Sequence, residues 1–80
     1  MSGGRPVVGE IVHYVSYSTP GGEYRPVCRA AVVTQIVTHA EGLPRVGLAV
    51  LNPTGMFFNP DIPPGMGMAG GTWHWPEDDA

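Results

Sequence analysis

The stretch VCRAAVVTQIV, which runs from Val27 to Val37, decides the fold class of this chain. Its β-branched run from Val32 to Thr34 disfavours a helix, because two heavy atoms on Cβ restrict the side-chain torsions there. Alternation at period two predicts a strand with one buried and one solvent-facing side. The residues predicted to be buried are Cys28, Ala30, Val32, Thr34 and Ile36, and those predicted to face solvent include Arg29 and Gln35.

Four further strands are predicted around this one. They comprise residues 8–17, 45–51, 56–58 and 72–75. Asn52-Pro53-Thr54-Gly55 has the residues of a type I turn, and Asn59-Pro60 is predicted to end the fourth strand. In the third strand Val46, Leu48 and Val50 are predicted to point inward. Gly47 and Ala49 then form a small-residue outer surface that is open to a neighbouring backbone or a flat ligand.

These strands predict an all-β chain, folded as a small SH3-like barrel of about five short antiparallel strands. The 80 residues include 12 Gly and 9 Pro, which interrupt every stretch long enough for a helix. A chain of this length has room for one domain with a thin core. We therefore predict a single domain over residues 1–80 with an ordered core at about 7–76. The segments predicted to be flexible are 1–5, 61–70 and 77–80.

The charge pattern disfavours duplex DNA as a partner. The chain has four arginines, no lysine and seven acidic residues, for a net charge of -3. DNA-binding proteins usually carry a basic patch, because phosphate contacts supply much of their affinity. No apolar stretch approaches the roughly 20 residues that span a bilayer, so no membrane association is expected. The N-terminus lacks the pattern of a signal peptide, and the single Cys28 fits a reducing compartment, so we predict a cytoplasmic protein.

Metal binding and catalysis are not predicted from the sequence. Zinc sites usually contain close pairs of ligands, and the chain has none among Cys28, His13, His39 and His74. The alternation also places Cys28 inward, as a quiet core thiol, and His13 and His74 outward. The GMGMAG stretch at residues 65–70 lacks the strand before it and the helix after it that dinucleotide binding requires. We therefore predict no metal, no cofactor and no enzymatic activity.

Aromatic residues of the first strand, the first loop and the last strand indicate a binding surface. Trp and Tyr combine a large apolar area with a polar group, which suits recognition. One of the two tryptophans is expected to fill the core and the other to be exposed. The predicted binding residues are Tyr14, Tyr17, Tyr24, Arg25, Arg29, Trp73, His74 and Trp75.

Three blocks of the sequence carry a resemblance. They are CRAAVVT at residues 28–34, LNPTGMFF at 51–58 and GGTWHWPE at 70–77. With them the chain resembles, from residue 8 to 77, a family of short proteins encoded by actinobacteria and their bacteriophages. The resemblance implies a phage or prophage accessory protein in the bacterial host cell, and it implies no activity.

The predicted function is a small binding domain that recognises a protein partner or a second copy of itself. The alternative is a domain that binds or sequesters a small nucleotide-like ligand. In that case an aromatic ring stacks on the base, and Arg25 or Arg29 contacts phosphate through paired hydrogen bonds. Single-stranded nucleic acid, bound by stacking on the same aromatics, is a third hypothesis.

Overall fold

A computed structural model describes residues 4–17, 27–38 and 42–76 of this chain. It contains five β-strands: β1 Ile11–Val15, β2 Cys28–Ile36, β3 Val46–Asn52, β4 Gly55–Ile62 and β5 Trp73–His74. No α-helix occurs in these ranges, and no helix there is long and apolar enough to cross a membrane. The predicted all-β fold of about five short antiparallel strands is confirmed.

The strands form one sheet in the order β4-β3-β2-β1-β5, with every neighbouring pair antiparallel. Strand β1 therefore lies between β2 and β5. Its residue His13 is opposite Ala30 of β2 on one side and opposite His74 of β5 on the other. The predicted turn joins β3 to β4, with Asn52 paired to Gly55.

The sheet is not closed into a complete barrel, because no strand ladder joins β4 to β5 in the described part of the chain. A short segment after β4 contacts the free edge of β5 instead. The amide of Trp73 donates to the carbonyl of Pro63 at 3.1 Å, and the amide of Gly65 donates to the carbonyl of Trp73 at 3.0 Å. Pro64 forms a single parallel bridge with Trp73. The two edges of the sheet are thus joined only through this segment, by the single bridge between Pro64 and Trp73 in the described part of the chain.

Strand β4 is longer than predicted, since it continues through Asn59-Pro60 to Ile62. The register with β3 shifts between Val46 and Leu48, so that Pro60 falls in an irregular part of an edge strand. A proline is tolerated there because its missing N–H is not needed by a second neighbour. The prediction that Asn59-Pro60 ends the strand is therefore wrong, and the predicted flexible segment 61–70 begins inside β4.

One face of the sheet, here called the inner face, holds the hydrophobic core. The core cluster consists of Val12, Tyr14, Ala31, Val33, Val46, Leu48, Val50, Ile62, Trp73 and Trp75. The inward direction predicted for the alternate residues of β3 is confirmed. The side of the sheet opposite to this cluster is called the outer face below.

The predicted faces of β2 are reversed over most of its length. Ala31 and Val33 are buried in the core, whereas Ala30 and Thr34 are exposed. A register shift between Val33 and Gln35 then reverses which alternate residues face inward. Of the residues predicted to be buried, only Ile36 therefore packs against the core. Cys28 accordingly lies on the outer face, and it is half-buried.

The small-residue surface predicted on β3 is not open. Gly47 and Ala49 are both buried. A Cβ built on Gly47 would lie 2.8 Å from Cγ of Gln35, so the side chain of the neighbouring strand already covers this position. The space that the sequence indicated for a ligand is filled by the protein itself.

Candidate metal centre

Two histidines and the cysteine lie together on the outer face, where β1, β2 and β5 are neighbours. His13 of β1 is paired with His74 of β5, and Val15 of β1 is paired with Cys28 of β2. Residues that face each other across an antiparallel pair point to the same side, as do residues two apart in one strand. The pairing of the three strands therefore brings His13, Cys28 and His74 to one place.

The three side chains approach each other at distances close to those of ligands around one ion. One ligand atom from each of His13, Cys28 and His74 lies within 4.8 Å of the other two. Sγ of Cys28 is 3.7 Å from Nε2 of His74, and the two imidazole rings meet edge to face with centroids 5.7 Å apart. Tetrahedral zinc with ordinary bond lengths separates its nitrogen and sulfur donors by about 3.3–3.8 Å. The pair of Cys28 and His74 already has this spacing. The widest pair includes at least one nitrogen and exceeds it by up to about 1.5 Å, so side-chain rotation must bring the groups closer for all three to bind one ion.

Burial differs among the three groups. The side chain of His74 is only 4% exposed, whereas His13 and Cys28 are half-buried. An ion can therefore reach the cluster from the side of His13 and Cys28 and is shielded from water on the side of His74. The described part of the chain places no carboxylate in the cluster, which consists of imidazole and thiol groups alone.

A turn between β4 and β5 lies beside this cluster. Its methionine Met68 places Sδ 3.8 Å from Sγ of Cys28. The turn is held against β1 by a hydrogen bond from the amide of Gly71 to the carbonyl of Val15, 2.7 Å long. Gly71 has a φ of +78°, and a Cβ there would collide with the ring of Tyr17, so only glycine fits this position.

The binding residues predicted from the sequence do not form one surface. Tyr14 is on the inner face, where its ring meets Phe57 edge to face, and burial raises the pKa of its phenol above 10.0 with a smaller contribution from Tyr17. Arg29 is half-buried opposite Tyr14, and its Nε has no hydrogen-bond partner among the described residues. Tyr17 is exposed, His74 belongs to the outer-face cluster, and Tyr24 and Arg25 lie outside the described residues.

Both tryptophans belong to the core, so the prediction that one of them is exposed is wrong. Trp73 is 0% exposed and Trp75 is 6% exposed, and their rings meet edge to face with centroids 5.5 Å apart. Nε1 of Trp73 donates to the carbonyl of Pro44 at 3.0 Å. The sheet curves enough around the closing strand to cover both rings.

The prediction that Cys28 diverges from His13 and His74 is also wrong. It depended on the reversed faces of β2, and the structure places all three residues on the outer face. The outward direction predicted for the two histidines was the available signal. With Cys28 on the correct face, the same reasoning finds the cluster.

No family model, curated protein or solved structure matches this chain. The resemblance to short proteins of actinobacteria and their bacteriophages stays a prediction from the three sequence blocks.

Proposed function

We propose that this chain is a metal-binding domain that holds one transition-metal ion between His13, Cys28 and His74. The observation that supports the proposal is the convergence of their three ligand atoms within 4.8 Å, from three different strands. Side chains from three strands of one sheet are positioned by backbone hydrogen bonds, so the site is formed whenever the sheet is formed.

The ligand types restrict the metal. Imidazole nitrogen and thiolate sulfur are ligands of zinc, copper and similar ions, whereas magnesium and calcium require several oxygen ligands. Three protein ligands leave one position of a tetrahedral ion for a further ligand. Binding requires the thiolate form of Cys28, so protons are released as the ion binds and the affinity rises with pH.

The pair of Cys28 and His74 also has the spacing of a thiol and its base, because hydrogen bonds to sulfur are longer than those between nitrogen and oxygen and the separation is 3.7 Å. A second imidazole, that of His13, has a ligand atom within 4.8 Å of the same sulfur. A thiol and its base need only one imidazole, whereas a metal ion uses both. The three-residue cluster therefore favours metal binding over catalysis.

The proposal is tested by counting bound ions. Native mass spectrometry of protein loaded with Zn(II) or, under anaerobic conditions, with Cu(I) should show one ion per chain. Cys28→Ser removes the sulfur ligand with little change of size and should lose that ion. His39→Gln, which changes a histidine outside the described residues, serves as the control and should keep it.

Two results would contradict the proposal. One is wild-type protein that retains no ion under conditions in which its mass spectrum shows a folded charge distribution. The other is a Cys28→Ser variant that binds one ion as tightly as the wild type. In either case His13, Cys28 and His74 do not hold an ion together.

A second candidate function, self-association, is favoured by an apolar row on the outer face. Ile11, Val32 and Phe58 belong to this row, in which the buried Ala49 is paired with Val32 on one side and Phe58 on the other. Phe58 is 71% exposed, and its strand β4 is an edge of the sheet. Exposed edges with apolar side chains tend to pair with another strand. A second copy of this chain supplies an identical edge, so two β4 strands can pair about a twofold axis.

This candidate predicts that the wild-type chain is a dimer and that Phe58→Asp is a monomer. Sedimentation velocity over a range of concentrations measures both states. Met66→Asp introduces the same charge at an exposed methionine outside the strands and should leave the dimer intact. A wild type that stays monomeric at every concentration would exclude self-association through this edge.

A further inference from the structure

We infer that Met68 is the fourth ligand of this centre and that the ion it selects is Cu(I). The inference rests on the proposed function, in which His13, Cys28 and His74 hold a transition metal. Its structural basis is the separation of 3.8 Å between Sδ of Met68 and Sγ of Cys28. Two thiolates of one tetrahedral zinc ion, bonded at about 2.3 Å, lie about this far apart, so the two sulfurs are close enough to bind one ion.

The backbone around Met68 is tied to the sheet. Gly71 donates to the carbonyl of Val15, and Oγ1 of Thr72 donates to the carbonyl of Ala69 at 2.7 Å. Gly67, with a φ of +62°, turns the chain immediately before Met68. Met68 is 49% exposed, whereas its near neighbour Met66 is 89% exposed. The turn thus directs one of its two methionines toward the cluster.

The thioether distinguishes copper from zinc. Zinc sites in proteins are built from cysteine, histidine and carboxylate, whereas methionine sulfur is a soft ligand that favours Cu(I). Two imidazoles, one thiolate and one thioether are also the ligand set of protein copper sites with a weakly bound methionine. The described residues place no carboxylate in the cluster that would favour a harder ion.

Charge balance favours the same ion. The imidazoles and the thioether are neutral ligands, so the thiolate of Cys28 supplies the one negative charge. Cu(I) bound to these four groups gives a centre with no net charge, whereas Zn(II) leaves one positive charge. The centre lies against the 4% exposed side chain of His74. A net charge is poorly hydrated on this buried side of the centre, so the neutral copper centre has the smaller desolvation cost.

The test compares Met68→Leu with Met66→Leu, two variants with the same chemical change. Anaerobic competition with a chromophoric Cu(I) chelator measures Cu(I) affinity, and competition with a zinc indicator measures Zn(II) affinity. We expect Met68→Leu to lower the Cu(I) affinity by about tenfold or more. Loss of a residue that only hydrogen-bonds to a metal ligand already lowers metal affinity by about 10–100-fold, and the loss of a ligand itself should cost at least the lower value. The Zn(II) affinity of Met68→Leu should not change. Met66→Leu should bind both ions like the wild type.

The outcomes separate this inference from the proposed function. If Met68→Leu binds Cu(I) like the wild type while Cys28→Ser does not, Met68 is not a ligand and the three-residue site stands. If Met68→Leu loses Cu(I) and Zn(II) equally, the selection of copper is wrong. If the wild type binds neither ion, both proposals fail. Matching melting curves of the metal-free variants will show that any loss comes from the ligand, since leucine replaces methionine at similar volume.

Discussion

Trp73→Ala is expected to leave the folded state only marginally stable at room temperature, with a free energy of unfolding of about 0–2 kcal/mol. Trp73 is fully buried in the core cluster. Its backbone is paired with Tyr14 of β1 on one side and with Pro64, after β4, on the other. Truncation of a buried tryptophan costs roughly 3–5 kcal/mol. A domain of this size has a free energy of unfolding near the lower end of the usual range of about 5–15 kcal/mol. Thermal and urea unfolding followed by circular dichroism measure the loss.

A matched pair of milder variants isolates the hydrogen bond of Trp73. Trp73→Phe leaves the buried carbonyl of Pro44 without its donor, which costs about 1–3 kcal/mol beyond the lost ring area. Nε1 of Trp75 is buried and has no partner among the described residues, so Trp75→Phe removes an unsatisfied donor. Trp73→Phe should therefore be clearly the more destabilising of the two. Equal losses would show that the bond to Pro44 adds nothing to stability.

The strands themselves were largely predictable, because β-branched residues and turn residues act locally. The boundary of β4 was not, since proline ends a central strand but is tolerated at the irregular edge position that Pro60 occupies. That position depends on which strand becomes the edge. The order of strands in the sheet is set by tertiary packing, and the local sequence around Pro60 does not predict it.

The faces of β2 were not predictable from alternation for a different reason. Both sides of this strand are apolar, with Ala30 and Val32 on one side and Ala31 and Val33 on the other. A period-two pattern identifies the buried side only when the other side is polar. In the structure, the pairing with β1 and β3 determines which side of β2 is buried. The register shift after Val33 then interrupts the alternation of buried and exposed residues.

The candidate metal centre was missed because its ligands are distant in sequence. His74 and Cys28 are 46 residues apart, and the sequence signals for metal sites depend on two ligands within one turn. Here strand register brings the ligands together instead. His13 is paired directly with His74, and Cys28 is paired with Val15, which lies two residues after His13 on the same side of β1. With Cys28 on the outer face all three residues share one side of the sheet, and the order β2-β1-β5 then brings them together.

Binding of the ion at this centre is expected to raise the melting temperature by about 15–30 °C. An ion that binds only the folded state, at a free concentration of about 1,000 times its dissociation constant, adds about 4 kcal/mol to the free energy of unfolding. In a domain of this size each kcal/mol corresponds to roughly 4–8 °C. The effect should be concentrated at β5, because this strand has only two residues and the ion joins it to β1 and β2.

His13→Gln is the variant that separates this linkage from a change in the fold. His13 is half-buried on the outer face and is not part of the core cluster, so the metal-free variant should melt close to the metal-free wild type. It should nevertheless lose most of the metal-induced shift, because a ligand is missing. Differential scanning calorimetry with and without a chelator measures both quantities. If the ion raises the melting temperature of His13→Gln as much as that of the wild type, the ion stabilises the chain at another site. The proposed centre joins β5 to β1 through His13, so it cannot have its full stabilising effect after β1 has lost this ligand.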